Sequence, residues 1–438
     1  MNVTSAFAYP SFVFDGIKDT IISLGAAYST PAAFAPKISS FSNPDGTTQP
    51  FDNSINAWVK TLPATGTYTV DLEPLASDPN LNTSLTFGVS SVNIPTPITA
   101  NSSVAGTIST VGSRAFYSLD LQVGDVVRMV VKAPNIFSPV VWVRAPNANT
   151  SFYDFSSGVV GELSYVIPTA GKQFGGSLYM VTQSGTYTLE VMTSNINGTL
   201  AQQTGDYSFN VIKPTPINLA LDTPTMGSTT PFQFNLYTLN IPQTGYVNLG
   251  ALENISNFPS WIKAIVFDST GKPLIGNLDQ YGFIKQLPTG VYTVALDPYQ
   301  NQSTYLNFND VTTRAFTFAA SALEPPTAMD FISNALKNGL IDQFNKRDYF
   351  SFNATQNQHV TVTVTSLDGL EVTVTASPPF NGDFTVPAGG GCQVIVSTNS
   401  SNTCAFTPSS TGQYVVSIRN NQPQIQSTGH YSISISQP

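Results

Sequence analysis

The sequence predicts an all-β fold: four tandem antiparallel β-sandwich domains, jelly-roll or immunoglobulin-like, with at most one short helix. The first observation is a strand that occurs four times, each copy opening on a Gly turn. It reads Thr65-Gly66-Thr67-Tyr68-Thr69-Val70, Ser184-Gly185-Thr186-Tyr187-Thr188-Leu189, Thr289-Gly290-Val291-Tyr292-Thr293-Val294 and Thr411-Gly412-Gln413-Tyr414-Val415-Val416. The copies lie about one domain length apart. Side chains on a strand alternate faces, so Tyr68, Val70 and Leu72 share one face while Thr67, Thr69 and Asp71 share the other. That is the pattern of a strand buried on one side. Tyr68, Tyr187, Tyr292 and Tyr414 are therefore expected at equivalent, buried positions. The second observation is the wealth of Val, Thr, Tyr and Phe in short runs between regularly spaced turn signals. The third is a charged content of 10%, far below the roughly 25% of ordinary soluble domains.

Charge excludes some functions. The net charge is −9 with no basic cluster, so no nucleic-acid partner is expected. No apolar run has the length of a helical membrane span. Ser, Thr, Asn, Gly and Pro supply the polar surface, which reads as extracellular, secreted or cell-surface. The opening Met1-Asn2-Val3-Thr4 lacks the basic flank and apolar core of a leader. A removed leader, or another secretion route, is expected instead.

In chain order, the first domain is expected over residues 1–93, the second over 94–213, the third over 214–325 and the fourth over 326–438. Proline-rich joints mark the boundaries: Pro95-Thr96-Pro97, Pro214-Thr215-Pro216 and Pro325-Pro326. Such joints are stiff. The first and third domains pair in sequence. Leu62-Pro63-Ala64-Thr65-Gly66 answers Leu287-Pro288-Thr289-Gly290, and the interval from Gly25 to Gly46 equals that from Gly250 to Gly271. This register sets Phe12 against Tyr237. The second and fourth also pair: Gly106-Thr107-Ile108 matches Gly339-Leu340-Ile341, and Arg114 to Leu119 matches Arg347 to Phe352. A duplicated two-domain block is the simplest history.

One helix is expected at the third joint. Thr327 and Asp330 have capping-box spacing, Met329, Ile332, Ala335 and Leu336 follow helical spacing, and Gly339 can end it. An irregular linker is the alternative. The first domain is expected to lack its opening strand, since only Asn2 to Pro10 precede Phe12. A sandwich short of a strand invites strand addition from another chain and non-closing, head-to-tail growth. The alternative is that Asn2 to Tyr9 folds back as its own strand.

The Phe116-Tyr117-Ser118-Leu119 strand, the turn at Gly124-Asp125 and the closing Gly185-Thr186-Tyr187-Thr188-Leu189-Glu190-Val191 together resemble the bacterial pre-peptidase C-terminal domain. The resemblance spans residues 94–212 and 327–438, is weaker over 214–324, and reaches only the second half of the first domain. It implies a secreted, non-catalytic jelly-roll-like sandwich that accompanies other modules. No enzymatic module accompanies the copies here.

Candidate chemistry is sparse. No catalytic residue, metal ligand or cofactor site is expected. The two histidines, His359 and His430, read as ordinary strand residues, His430 pointing outward. Two histidines and two cysteines make zinc improbable. No nucleophile elbow, zinc-protease motif or phosphate loop occurs. The acidic residues, Asp71 and Glu190 among them, are expected to face outward. Cys392 and Cys404 flank a hairpin and are expected to form a disulfide, two free thiols being the alternative. Trp58, Trp142 and Trp261 are expected in the core.

Nine Asn-x-Ser/Thr sequons occur, at Asn2, Asn82, Asn101, Asn149, Asn197, Asn254, Asn301, Asn353 and Asn399. Their number is near chance, so their turn or outward positions are the better evidence for glycans. The expected function is a non-catalytic extracellular structural protein that self-associates into a filament, stalk or S-layer-like assembly. The alternative is an adhesin or an array of carbohydrate-binding modules.

Overall fold

The computed structural model describes residues 2–3, 11–28, 38–49, 57–72, 83–92, 94–133, 136–137, 139–146, 172–175, 178–193, 203–230, 232–253, 262–269, 273–278, 283–297, 306–307, 313–331, 335–377, 392–421 and 428–437. Among the described residues every element is a strand, and the strands form eight separate sheets, two to each of four sandwiches. By internal contacts the chain divides into two compact units. One is Met1–Pro214 with Ser303–Asp310, and the other is Thr215–Gln302 with Val311–Pro438.

The fourth sandwich displays the common plan. One sheet runs Thr327–Ala328, Arg347–Ala354, Gly412–Asn420, Val372–Ser377, Gln393–Val396. The other runs Lys337–Ile341, Gly429–Ser436, Val360–Ser366, Ser401–Phe406. All pairs are antiparallel except that Thr327–Ala328 lies parallel to Arg347–Ala354. The third sandwich repeats this order strand for strand, from Ile217–Leu219 to Arg314–Ala322. The second keeps it with Thr96–Pro97 as the parallel edge. In the first, Ser11–Gly16, Gly66–Leu72, Ile38–Ser42 and Thr48–Gln49 face Asn2–Val3, Thr83–Ser91, Ile21–Tyr28 and Ala57–Thr61. Each core is the set of inward residues that the period-2 pattern marks: Val360, Val362 and Val364 are all buried while Thr361, Thr363 and Thr365 are half exposed.

The four repeated tyrosines sit at one position of this plan. Tyr68, Tyr187, Tyr292 and Tyr414 are buried, and each hydroxyl donates to the carbonyl oxygen four residues back: Ala64 at 2.6 Å, Gln183 at 2.9 Å, Pro288 at 2.9 Å and Ser410 at 3.0 Å. The ring fills the core while its polar tip ties down the turn before the strand. At Gly185 the backbone has φ +146°, and a Cβ would come within 2.7 Å of Pro146 Cγ. Glycine is required there both by conformation and by space.

Three expectations change. The proposed helix at the third joint does not form: Thr327–Ala328 pairs as a strand, and Lys337–Ile341 is another. The capping-box spacing loses to edge pairing with Phe350 and Ser351, which Met329 N extends by donating to the Ser351 carbonyl oxygen at 2.7 Å. The opening strand of the first sandwich is present as Asn2–Val3, paired with Ser84 and Thr83. The cysteines pair, but not across a hairpin. Cys392 adjoins Gln393–Val396 in one sheet and Cys404 lies on Ser401–Phe406 in the other, so the disulfide ties the two layers together with a Cα separation of 5.6 Å.

Candidate functional site: a joint built twice

Within each unit, one sheet of the odd-numbered sandwich turns an outer face of very small residues toward the next sandwich. On Ile21–Tyr28, the residues Ile22, Leu24 and Ala26 enter the core, leaving Ser23, Gly25 and Ala27 on the outer face. Gly88 stands opposite Gly25 on Thr83–Ser91. All four outer residues are nonetheless buried, because the Thr110–Gly112 turn of the second sandwich rests on them. A Cβ at Gly25 would lie 2.3 Å from Gly112 Cα, and one at Gly88 would lie 2.2 Å from the Val111 carbonyl oxygen. Backbone therefore packs directly on backbone. Ser23 Oγ donates to the Gly112 carbonyl oxygen, and Gln203 Nε2 donates to the Ala26 carbonyl oxygen at 3.2 Å.

The second unit builds the same joint at the equivalent register. On Gly245–Glu253, the residues Val247, Leu249 and Ala251 face the core, leaving Asn248 and Gly250 outside, with Ala319 opposite Gly250. The turn Gln343–Asn345 rests here. Phe344 packs on Ala319, and a Cβ at Gly250 would lie 2.6 Å from Asn345 Cβ. Asn248 Nδ2 donates to the Asn345 carbonyl oxygen at 2.6 Å. Asn345 Nδ2 returns bonds to the carbonyls of Asn248 at 3.1 Å and Ala319 at 3.3 Å, and Ser321 Oγ donates to Asn345 Oδ1 at 3.0 Å. Gln343 Nε2 adds a bond to the Asp222 carbonyl. A second patch, with Tyr349 and Val415 of the fourth sandwich against Ile284, Tyr246 and Leu323 of the third, widens the contact. Side-chain amides hydrogen-bonded across the joint in this way fix its geometry, because any slippage breaks those bonds.

Several ionisable side chains are held by close partners. Glu190, expected outward by alternation, is wholly buried and pairs with both Arg114 and Arg144. It does lie on the outer face of its sheet, opposite Phe116 and Trp142 in register, but that face is not solvent-exposed there. Asp71 is half exposed, and Ser40 Oγ donates to its carboxylate. Asp348 accepts a 2.5 Å bond from the Tyr431 hydroxyl, and burial raises its carboxyl above the ordinary value. Burial pushes the Tyr187 phenol up to about 12.

His430 is exposed and contacts Asp368 through Nδ1, a bond that holds the Asp368 carboxyl below its ordinary value. His359 is exposed and lies just before Val360–Ser366, not within it. Trp142 is half-buried on the face opposite Val141 and Val143, hence outside the core. The Trp58 side chain and Trp261 lie outside the described residues.

Of the sequon asparagines, Asn101, Asn353 and Asn399 are exposed. The Asn2 side chain and residues Asn82, Asn149, Asn197, Asn254 and Asn301 lie outside the described residues. Among the described residues, no three His, Cys, Asp or Glu side chains group to hold a metal ion. A cleft of about 690 Å³ opens on the third sandwich, lined by Ile241, Tyr246, Gln286, Leu323 and Pro325, with Glu324 its one ionisable acid. The joint is what sequence reading missed. Its signal was there in Gly25 and Gly250, used only to set the register between domains.

No protein-family model and no curated protein matches the chain. Among solved structures, the chain is similar to the pre-peptidase C-terminal domain of a Bacillus anthracis collagenase, at 16% identity and a TM-score of 0.20, over 26% of this chain and 96% of that one. It is similar to the CUB1-EGF-CUB2 domains of rat MASP-1 at 8% identity and a TM-score of 0.15, over 47% of this chain and 100% of that one. Against a Paenibacillus xanthan lyase the figures are 13% and 0.18, over 70% of this chain and 34% of that one. Each is a similarity, and none assigns an activity.

Proposed function

We propose that this chain is a non-catalytic extracellular structural protein, a subunit of a surface filament, stalk or layer built by head-to-tail contacts between sandwiches. The observation that carries the reading is the joint built twice. Two sandwiches docked this closely, with side-chain hydrogen bonds across the contact, act as one stiff block, unlike the mobile domain pairs that small polar interfaces allow. Stiffness of this kind suits a building element. The low charge content, the exposed sequons Asn101, Asn353 and Asn399 and the disulfide support an extracellular setting. The sequence resemblance supports assigning the second and fourth sandwiches to the pre-peptidase C-terminal type. Sedimentation velocity on the purified chain tests the reading: species that grow with concentration support it, and a monomer at every concentration contradicts it.

A second reading, an adhesin or carbohydrate-binding array, is favoured by the cleft beside Tyr246 and by half-buried Trp142 on an outer sheet face. Saturable binding of the monomer to a glycan array, lost in Tyr246→Ala, would select it.

A further inference from the structure

Three of the four sandwiches receive the chain in the same way. After leaving one sandwich, the linker lies parallel to the edge strand of the next. Thr96 and Pro97 pair with Tyr117 and Ser118. Ile217, Asn218 and Leu219 pair with Tyr237, Thr238 and Leu239. Thr327 and Ala328 pair with Phe350 and Ser351. The backbone bonds agree: Ile98 N donates to the Ser118 carbonyl at 2.9 Å, and Met329 N to the Ser351 carbonyl at 2.7 Å. The segments share a pattern, a proline followed three residues later by an aliphatic side chain: Pro95 and Ile98, Pro216 and Leu219, Pro326 and Met329. Leu219 and Met329 are buried in the cores of the sandwiches they enter, and Ile98, half-buried, packs against its core. Proline fixes the extended entry, the backbone supplies the edge bonds, and the aliphatic residue plugs the core.

The first sandwich has the receiving edge. Phe12 and Val13 on Ser11–Gly16 pair with Val70 and Thr69, as Tyr117 and Ser118 pair with Leu189 and Thr188. Among the described residues, nothing pairs with the outer side of Ser11–Gly16. Val13 is 69% exposed, whereas Ser351 at the equivalent place is 4% exposed. Phe14, which corresponds to Leu119, Leu239 and Phe352, stacks on Tyr68 at 5.5 Å and packs at the core margin where the plug residues enter the other three.

We propose that the Ser11–Gly16 edge is a binding site for an extended, proline-led segment with an aliphatic residue three positions on, delivered in parallel by a sandwich of a partner chain. Val13 offers its N–H and carbonyl, and the aliphatic side chain enters beside Phe14. The inference deepens the head-to-tail reading and rests on it only for the origin of the segment.

The probe is a fluorescent peptide of residues 92–101, titrated into the full chain and read by anisotropy. The competing variant is Val13→Pro, which removes the outward N–H from an edge position where proline is tolerated. Saturable binding that weakens about tenfold or more in Val13→Pro, and likewise when the peptide carries Ile98→Asp, is expected from loss of an edge hydrogen bond and of the plug. Matching melts of the two proteins show that the variant is folded. Absence of saturable binding to the wild-type chain overturns the proposal, as does binding that Val13→Pro leaves unchanged. Peptide binding without assembly of the chain would instead count against the head-to-tail reading alone.

Discussion

Asn248 donates its side-chain amide to the carbonyl oxygen of Asn345 at 2.6 Å, and Ser23, at the same register position of the first sandwich, donates its hydroxyl to Gly112. The donor differs in length because the joint differs in filling. Where Gly112 lets backbone rest on Gly25, a serine reaches. Where Asn345 stands off Gly250 with its own side chain, an asparagine is needed. One docking geometry is thus reached with two sets of side chains.

Gly25→Ala is expected to loosen the first joint. The added Cβ has no flexible neighbour to displace, only the Gly112 backbone at 2.3 Å. A cost of about 1–3 kcal/mol, the usual range for overpacking, is expected. Limited proteolysis should then cut the 92–97 linker faster than in wild type. Cutting at an unchanged rate would show that the joint does not hold the pair.

Tyr187→Ala should destabilise its sandwich by about 3–5 kcal/mol, as for other buried aromatics. Tyr187→Phe, which keeps the ring but leaves the Gln183 carbonyl without its partner, should cost about 1 kcal/mol. Urea unfolding of the full chain measures both, and equal losses for the two variants would contradict a core role for the ring.

Glu190→Gln should cost about 3–5 kcal/mol, since it removes the negative charge with which the buried Arg114 guanidinium pairs. An outward, solvated Glu190 would make the change nearly silent in the same denaturation experiment.

Asp348 gives a pH dependence of definite sign. Its carboxyl holds a proton to higher pH in the folded chain than in the unfolded one, because burial outweighs the Tyr431 hydrogen bond and the attraction of Lys346. The folded state therefore binds more protons in the window upward from the ordinary value of 3.8, and stability is lost as pH rises through it. Asp348→Asn, neutral throughout, should gain on wild type across that window and hold a constant lead above it. A stability difference that stays the same from about pH 3 to pH 7 would contradict this assignment.

The fold was legible because its signals are local. A Gly turn, a tyrosine and a period of two are all written within a few residues, and each of the four copies could be read alone. What escaped was decided by distant partners. Alternation correctly places Glu190 on an outer face, but it cannot say that the face is buried or that Arg114 and Arg144 converge there. The segment from Thr327 shows a capping-box spacing, yet an edge strand at Phe350 was waiting for it. Cys392 and Cys404 look like hairpin neighbours because they are close in sequence, while the sheets they join are set by Val374 and Val362, far upstream. Gly25 was visible as a spacing mark, and its use appears only when the Gly112 turn comes to rest on it.

On the proposed reading, stiff sandwich pairs are building elements. Negative-stain electron microscopy of the native material tests it most directly. Filaments or lattices with a regular subunit repeat are the predicted result. Dispersed single particles at every concentration would contradict it.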